Sequence, residues 1–114
     1  MKMYKMVFVI NSSLKMSPGK IASQTAHTAV SLYIKAKSNP KNHLIFFNDI
    51  DIWIKTGQAK VVLKGQDEKH LLELEDKAIN QNLLSLHTRD AGRTQIEAGS
   101  LTCLGIFGKI DQVD

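Results

Sequence analysis

Two stretches of this chain carry more function-capable side chains than packing alone demands. The first runs from Lys15 to His27. Within it Lys20, Gln24 and His27 follow an i, i+4, i+7 spacing, which sets an ammonium, an amide and an imidazole on one helical face. Ser17 before Pro18 fits an N-cap followed by proline at the first helical position. The positive end of the helix dipole then lies beside Lys20, a place suited to phosphate or to a developing oxyanion. Ala22, Ala26 and Ala29 form a separate stripe, small enough to let the helix approach a sheet closely. The second stretch runs from Thr88 to Gln95, with Asp90 between Arg89 and Arg93, and with Gly92 to turn the backbone. A carboxylate flanked by two guanidinium groups stays ionised and can orient a water or a lysine. Ligands of α/β folds gather at strand ends, where loops and helix N-termini meet. Lys20 and Asp90 are therefore expected to face each other across a cleft. Each residue also has a plain structural use: a solvated lysine, a half-buried histidine, a surface Asp90–Arg93 pair, a Thr94 that bonds its own loop.

The elements that must position these groups follow from the pattern. Tyr4 to Ile10 is a short β-branched and aromatic run, read as a buried strand. The helix opened by Ser17 and Pro18 runs to about Lys37, and Asn39-Pro40 stops it. Residues 41–58 read as a second short helix or irregular segment over one side of the sheet. Ala59 to Leu63 reads as a second buried strand. Asp67 caps a helix whose apolar positions are Leu71, Leu74, Ala78 and Ile79, and Asn80-Gln81-Asn82 ends it. Leu83 to Thr88 and Ser100 to Phe107 are the last two strands, the latter bracketed by Gly99 and Gly108. Strands alternating with helices predict a single α/β domain, 1–114, whose sheet is parallel in part and has helices packed on its faces.

Composition narrows the chemistry. The 114 residues are 43% hydrophobic and 23% charged, as in a one-domain globular protein. The lone Cys103 excludes an internal disulfide and reads as a buried, inert thiol. His27, His43, His70 and His87 lack the paired spacing of a zinc site, so no metal is implied. The apolar run after the N-terminus is too short for a signal or a membrane span, which leads to an expectation of a cytoplasmic protein with no membrane partner. Residues 1–64 hold ten lysines against two aspartates; residues 65–114 hold five Lys and Arg against nine Asp and Glu. That asymmetry points to a polyanion-facing surface built from the first half. No phosphate-binding P-loop is present, since Gly19-Lys20 is followed by Ile21, and no Gly-x-Ser-x-Gly elbow exists.

The two stretches together resemble the type 2 peptidyl-tRNA hydrolases of archaea and eukaryotes. The matching residues are Lys5-Met6-Val7, Leu14-Lys15-Met16, Gly19-Lys20-Ile21-Ala22, Gln24, His27, Gly57-Gln58, Lys60 to Leu63, Asp90 to Gln95 and Gly99-Ser100. The resemblance implies a mixed four-stranded sheet with helices on both faces. It implies hydrolysis of the ester between a peptide and the 3′ end of tRNA, with no cofactor. Peptidyl-tRNA is then the partner, and a homodimer stays open. Catalysis maps onto Lys20, Asp90 and Thr94; Lys15, Gln24, His27, Arg93 and Gln95 are expected to bind substrate. Lys35, Lys37 and Lys41 are further candidates, beside Lys15, for holding tRNA phosphates. The sequence departs from the family where Ser13 replaces a common acidic residue, where Asn11 replaces a common basic one, and where it stops at Val113-Asp114. These departures motivate the alternative, a catalytically impaired paralogue that binds tRNA or a protein.

Overall fold

The computed structural model describes residues 3–38, 40–91 and 98–110, and of residues 40–45 the backbone alone. Its first strand, β1 (Tyr4–Asn11), is followed by a 3₁₀ turn at Ser12–Leu14 and by the helix α1 (Pro18–Ser38). The second helix, α2 (Pro40–Lys55), is longer than the sequence suggested. Then come β2 (Lys60–Gly65), α3 (Glu68–Asn80), β3 (Leu84–Arg89) and β4 (Leu101–Lys109). The strand order is β2-β1-β4-β3. β1 pairs parallel with β2 and antiparallel with β4, and β3 is antiparallel to β4. The sheet is mixed, as expected for an α/β fold.

The pleat of β1 divides the core in two. Tyr4, Met6, Phe8 and Ile10 face α1 and α2, where Leu32, Ala36, Ile50 and Trp53 close on them with Phe107. Val7 and Val9 face the other way, toward Leu71 of α3 with Leu101 and Leu104. Each large side chain so buried contributes about 1.5–3 kcal/mol. Trp53 is core, and its indole N–H donates to Ala59 O at 2.9 Å. α3 starts where Asp67 predicts: its Oδ1 accepts the His70 amide at 2.9 Å. Leu71 and Ala78 are buried, whereas Ile79, assigned from spacing to the apolar stripe, points to solvent at 56% exposure.

Two further expectations are overturned. β2 is an edge strand, with Val61, Val62 and Leu63 exposed, because α1 lies over β4 and β3, α2 lies over β1, and α3 packs on β3, β4 and β1. Nor does the alanine stripe carry α1 onto the sheet. Ala22 and Ala26 are exposed, and the buried face is Thr28, Leu32 and Ala36. The close approach comes instead from Gly105 of β4: a Cβ there would lie 2.6 Å from Thr28 Cγ2 and 2.7 Å from Leu32 Cδ1. Among the described residues no helix is long and apolar enough to cross a membrane.

Candidate active site

α1 begins as its sequence dictates. Ser17 Oγ accepts the Lys20 amide at 3.2 Å, Ser17 O accepts the Ile21 amide at 2.9 Å, and Pro18 has no N–H to satisfy. Among the described residues this leaves the Gly19 amide as the donor at the helix start without a capping acceptor. The space beside Gly19 is open: a Cβ would meet nothing within 4 Å.

One residue later, Lys20 Nζ donates to Asp90 Oδ1 at 3.3 Å, with the two side chains 12% and 3% exposed. The two groups touch rather than face each other across a cleft. Asp90 is fixed through its backbone. Its N–H donates to Ser100 O at 2.8 Å, and its carbonyl accepts the Gly99 amide at 2.9 Å. Gly99 makes this bend with φ +86°, a conformation that a side chain would disfavour. Opposite charges so sheltered interact more strongly than on an open surface, and losing either one leaves the other poorly solvated. Arg89 turns elsewhere, donating to Gly99 O at 2.9 Å and to Glu68 at 3.2 Å. The ammonium at 3.3 Å from Asp90 is therefore that of a helix seventy residues away in sequence.

Behind the pair lies a hydroxyl network that sequence reasoning missed. Thr28 Oγ1 donates to Gln24 O at 2.7 Å. Its one hydrogen being engaged there, Thr88 Oγ1 is the donor in the 2.8 Å contact between the two threonines. Thr102 Oγ1 lies 2.6 Å from Gln24 Oε1 and 3.1 Å from Thr88 O. One hydroxyl hydrogen cannot serve two acceptors, and the shorter contact marks Gln24 Oε1 as the acceptor that takes it. A bulge makes this possible. Thr88 pairs with Cys103 and Arg89 with Leu101, leaving Thr102 unopposed and turned toward α1 beside Cys103. The available signal was spacing: Thr28 follows Gln24 by one helical turn, and Thr88 stands two residues before Asp90.

The remaining expectations divide. Gln24 joins the network, and His27 is exposed on the same side of α1. Lys15 is exposed, in a left-handed conformation with φ 50°. Arg93, Thr94 and Gln95 lie outside the described residues, as does the side chain of Lys41. Lys35 and Lys37 are half-buried, and each ammonium also has partners within the fold. Lys35 Nζ donates to Ser85 O at 2.7 Å; Lys37 Nζ donates to Asp51 at 2.7 Å and to Phe47 O at 3.0 Å. Cys103 is fully buried, and burial pushes its thiol up to about 11, only partly offset by the neighbouring Thr28 hydroxyl. Among the described residues no three His, Cys, Asp or Glu side chains converge where a metal ion could sit.

The family model described as Peptidyl-tRNA hydrolase PTH2 matches residues 4–114. The chain belongs to the PTH2 family. It is 42% identical over 104 residues to the peptidyl-tRNA hydrolase of Methanopyrus kandleri, covering 91% of this chain and 84% of that one. It is 42% identical over 111 residues to the peptidyl-tRNA hydrolase of Metallosphaera sedula, covering 96% and 92%. The probable peptidyl-tRNA hydrolase 2 of Caenorhabditis elegans is 43% identical over 111 residues, 97% of this chain and 34% of that longer protein. In this PTH2 domain Asn11 and Ser13 are joined by uncharged hydrogen bonds. Asn11 Oδ1 accepts from Ser13 N at 3.1 Å and from Ser13 Oγ at 2.6 Å, while Asn11 Nδ2 donates to Leu101 O at 2.8 Å. The bridge from β1 to the following turn is thus made without charge.

Proposed function

We propose that this chain hydrolyses the ester joining a peptide to the 3′ end of tRNA, releasing free tRNA and peptide, without a metal ion. The observation that carries the reading is the sheltered contact of Lys20 with Asp90 at an open helix N-terminus. Ester hydrolysis needs a water aimed at the carbonyl carbon and positive charge where the carbonyl oxygen becomes negative. Asp90 accepts a hydrogen bond from the water and orients it, directly or through Thr94. An ordinary carboxylate is a weak base at neutral pH, so orientation is its main contribution. Lys20, with the Gly19 amide, stabilises the tetrahedral oxyanion. On collapse the carbon–oxygen bond to the ribose breaks. One proton of the water ends on that ribose oxygen, the other passes to solvent, and the peptide leaves as a carboxylate. Gln24, His27, Arg93, Gln95 and Lys15 serve substrate binding, and the site works in the cytoplasm.

The neutral Asn11–Ser13 bridge and the formed Lys20–Asp90 contact favour the hydrolase over an impaired paralogue. The direct test is release of labelled N-acetyl-amino acid from N-acetyl-aminoacyl-tRNA, followed by acid precipitation. Wild-type protein should release label catalytically, and KM should rise steeply between about 50 and 200 mM salt as phosphate contacts are screened. A folded protein that binds tRNA yet releases nothing would reject the assignment. Light scattering, read at the same concentrations, decides whether the active species is a homodimer.

A further inference from the structure

Beside the catalytic pair lies a cleft of about 460 Å³ that no step above uses. Its walls come from the end of β1, the 3₁₀ turn, the start of α1 and the edge strand β2. Ile10, Met16, Ile21, Val62 and Leu63 make it largely apolar, within the size range of small-ligand pockets. Two charged residues line it, Lys15 and Lys64; both are exposed lysines, and no carboxylate is among the lining residues. Asn11 and Ser12 add polar atoms at the end nearest the sheet rim.

Its position ties it to the reacting centre. Ile21 directly follows Lys20. Asn11 Nδ2 donates to Leu101 O, and Ser100, the residue before Leu101, accepts the Asp90 amide. Asn11 and Asp90 therefore stand at the same rim, on β1 and just past β3, with β4 between them. Two strand spacings separate them, about 10 Å.

We propose, resting on the hydrolase reading, that this cleft receives the single-stranded 3′ end of the tRNA. A terminal nucleobase lies on the apolar floor, and the adjoining phosphate sits between Lys15 and Lys64. The charge pattern selects this occupant. A peptide of arbitrary sequence gains nothing general from two cations, whereas every nucleotide of the acceptor strand brings one phosphate and one flat apolar face. The conformation of Lys15 fits the same use. At φ 50° Lys15 caps the 3₁₀ turn in a left-handed conformation, which holds the start of its side chain at the mouth of the cleft. The opposite direction from the ester is left to the peptide.

The test joins kinetics with a binding map. Lys64→Glu should raise KM for N-acetyl-aminoacyl-tRNA by about 5- to 10-fold, leave kcat within about 2-fold, and flatten the salt dependence of binding by about one unit of slope. Lys69→Glu, on α3 away from the cleft, should change none of these. In methyl spectra of the wild type, the trinucleotide cytidylyl-cytidylyl-adenosine should shift Ile10, Met16, Ile21, Val62 and Leu63, and N-acetyl-triglycine should not. The inference is overturned if Lys64→Glu leaves KM and the salt slope unchanged in an enzyme that hydrolyses normally. It is equally overturned if the trinucleotide shifts other methyls, or if the peptide alone occupies the cleft. Absence of hydrolysis by the wild type is a different outcome: it removes the reading on which the inference rests.

Discussion

Replacing Asp90 by asparagine removes one charge and almost no volume. The amide oxygen can still accept from Lys20 Nζ where the carboxylate does at 3.3 Å, and the backbone bonds to Gly99 and Ser100 do not involve the side chain. Two losses follow and can be separated. The first is folding stability. Stripping one partner from a fully buried pair costs about 3–5 kcal/mol. Here the stranded charge is Lys20, whose side chain is 12% exposed and keeps a polar acceptor, so about 1–2 kcal/mol is expected. At roughly 4–8 °C per kcal/mol for a domain near this size, the melting point falls by about 5–15 °C and the protein stays folded at 25 °C. The second loss is catalytic. A positioned group acting on the attacking water contributes about 10²- to 10⁴-fold, or roughly 2.7–5.4 kcal/mol of barrier. The assay is single-turnover release of N-acetyl-amino acid from tRNA with enzyme in excess, at a temperature where circular dichroism reports full folding. Asp90→Asn should fall at least about 10²-fold, and Lys20→Met by a similar factor. The double variant should be little worse than either single one, because the groups act as a unit. A folded Asp90→Asn protein within about 3-fold of wild type would refute the reasoning, and fully multiplicative losses in the double variant would refute the unit.

Three other perturbations address what holds the pair in place. Thr28→Val leaves the buried Thr88 hydroxyl without its acceptor and should cost about 1–3 kcal/mol in thermal or urea unfolding, with Thr28→Ser recovering most of it. Gly105→Ala drives a Cβ into Thr28 and Leu32; overpacking costs about 1–3 kcal/mol, and because α1 carries Lys20, turnover should drop by about 10-fold or more in protein that remains folded. Cys103, with its thiol raised from 9.0 to about 11 chiefly by burial, should resist iodoacetamide at pH 8 unless the protein is unfolded. The sign also runs through stability. Below pH 9 the thiol is neutral in both states and its contribution is intact; from pH 9 to about 11 the unfolded thiol ionises first, so stability declines across that window, and Cys103→Ala should remove that part of the decline.

The features legible in the sequence are local or carried by dense motifs. Ser17-Pro18 and Asp67 announce their helices because capping is settled within four residues. Lys20 and Asp90 meet although seventy positions apart, since both were assigned to strand-end sites. What escaped reading is set by neighbours that a linear pattern cannot reveal. Ala59 to Leu63 has the composition of a buried strand, and its exposure follows from strand order. Thr102 faces Gln24 only because a bulge shifts the register by one residue. The alanines of α1 suggested close packing, yet the room was made on the other partner, at Gly105. The bonds that Lys35 and Lys37 make to Ser85 O and Asp51 were likewise beyond a linear pattern.

The central pairing of the sheet joins the first strand to the last described one: Tyr4 lies opposite Lys109, and Ile10 opposite Cys103. This topology makes folding late and indivisible. A growing chain that has produced β1, both long helices and β2 still lacks the partner for β1's other side, and β3 has no strand to pair with until β4 exists. Trimming into either terminal strand removes the middle of the sheet rather than a margin. The same adjacency, with the Ile110 amide donating to Met3 O at 3.1 Å, makes the domain a good subject for circular permutation. A short linker from Ile110 to Met3 would unite the two central strands as a hairpin, convert their long-range pairing into a local one, and should speed folding while leaving the Lys20–Asp90 pair in place.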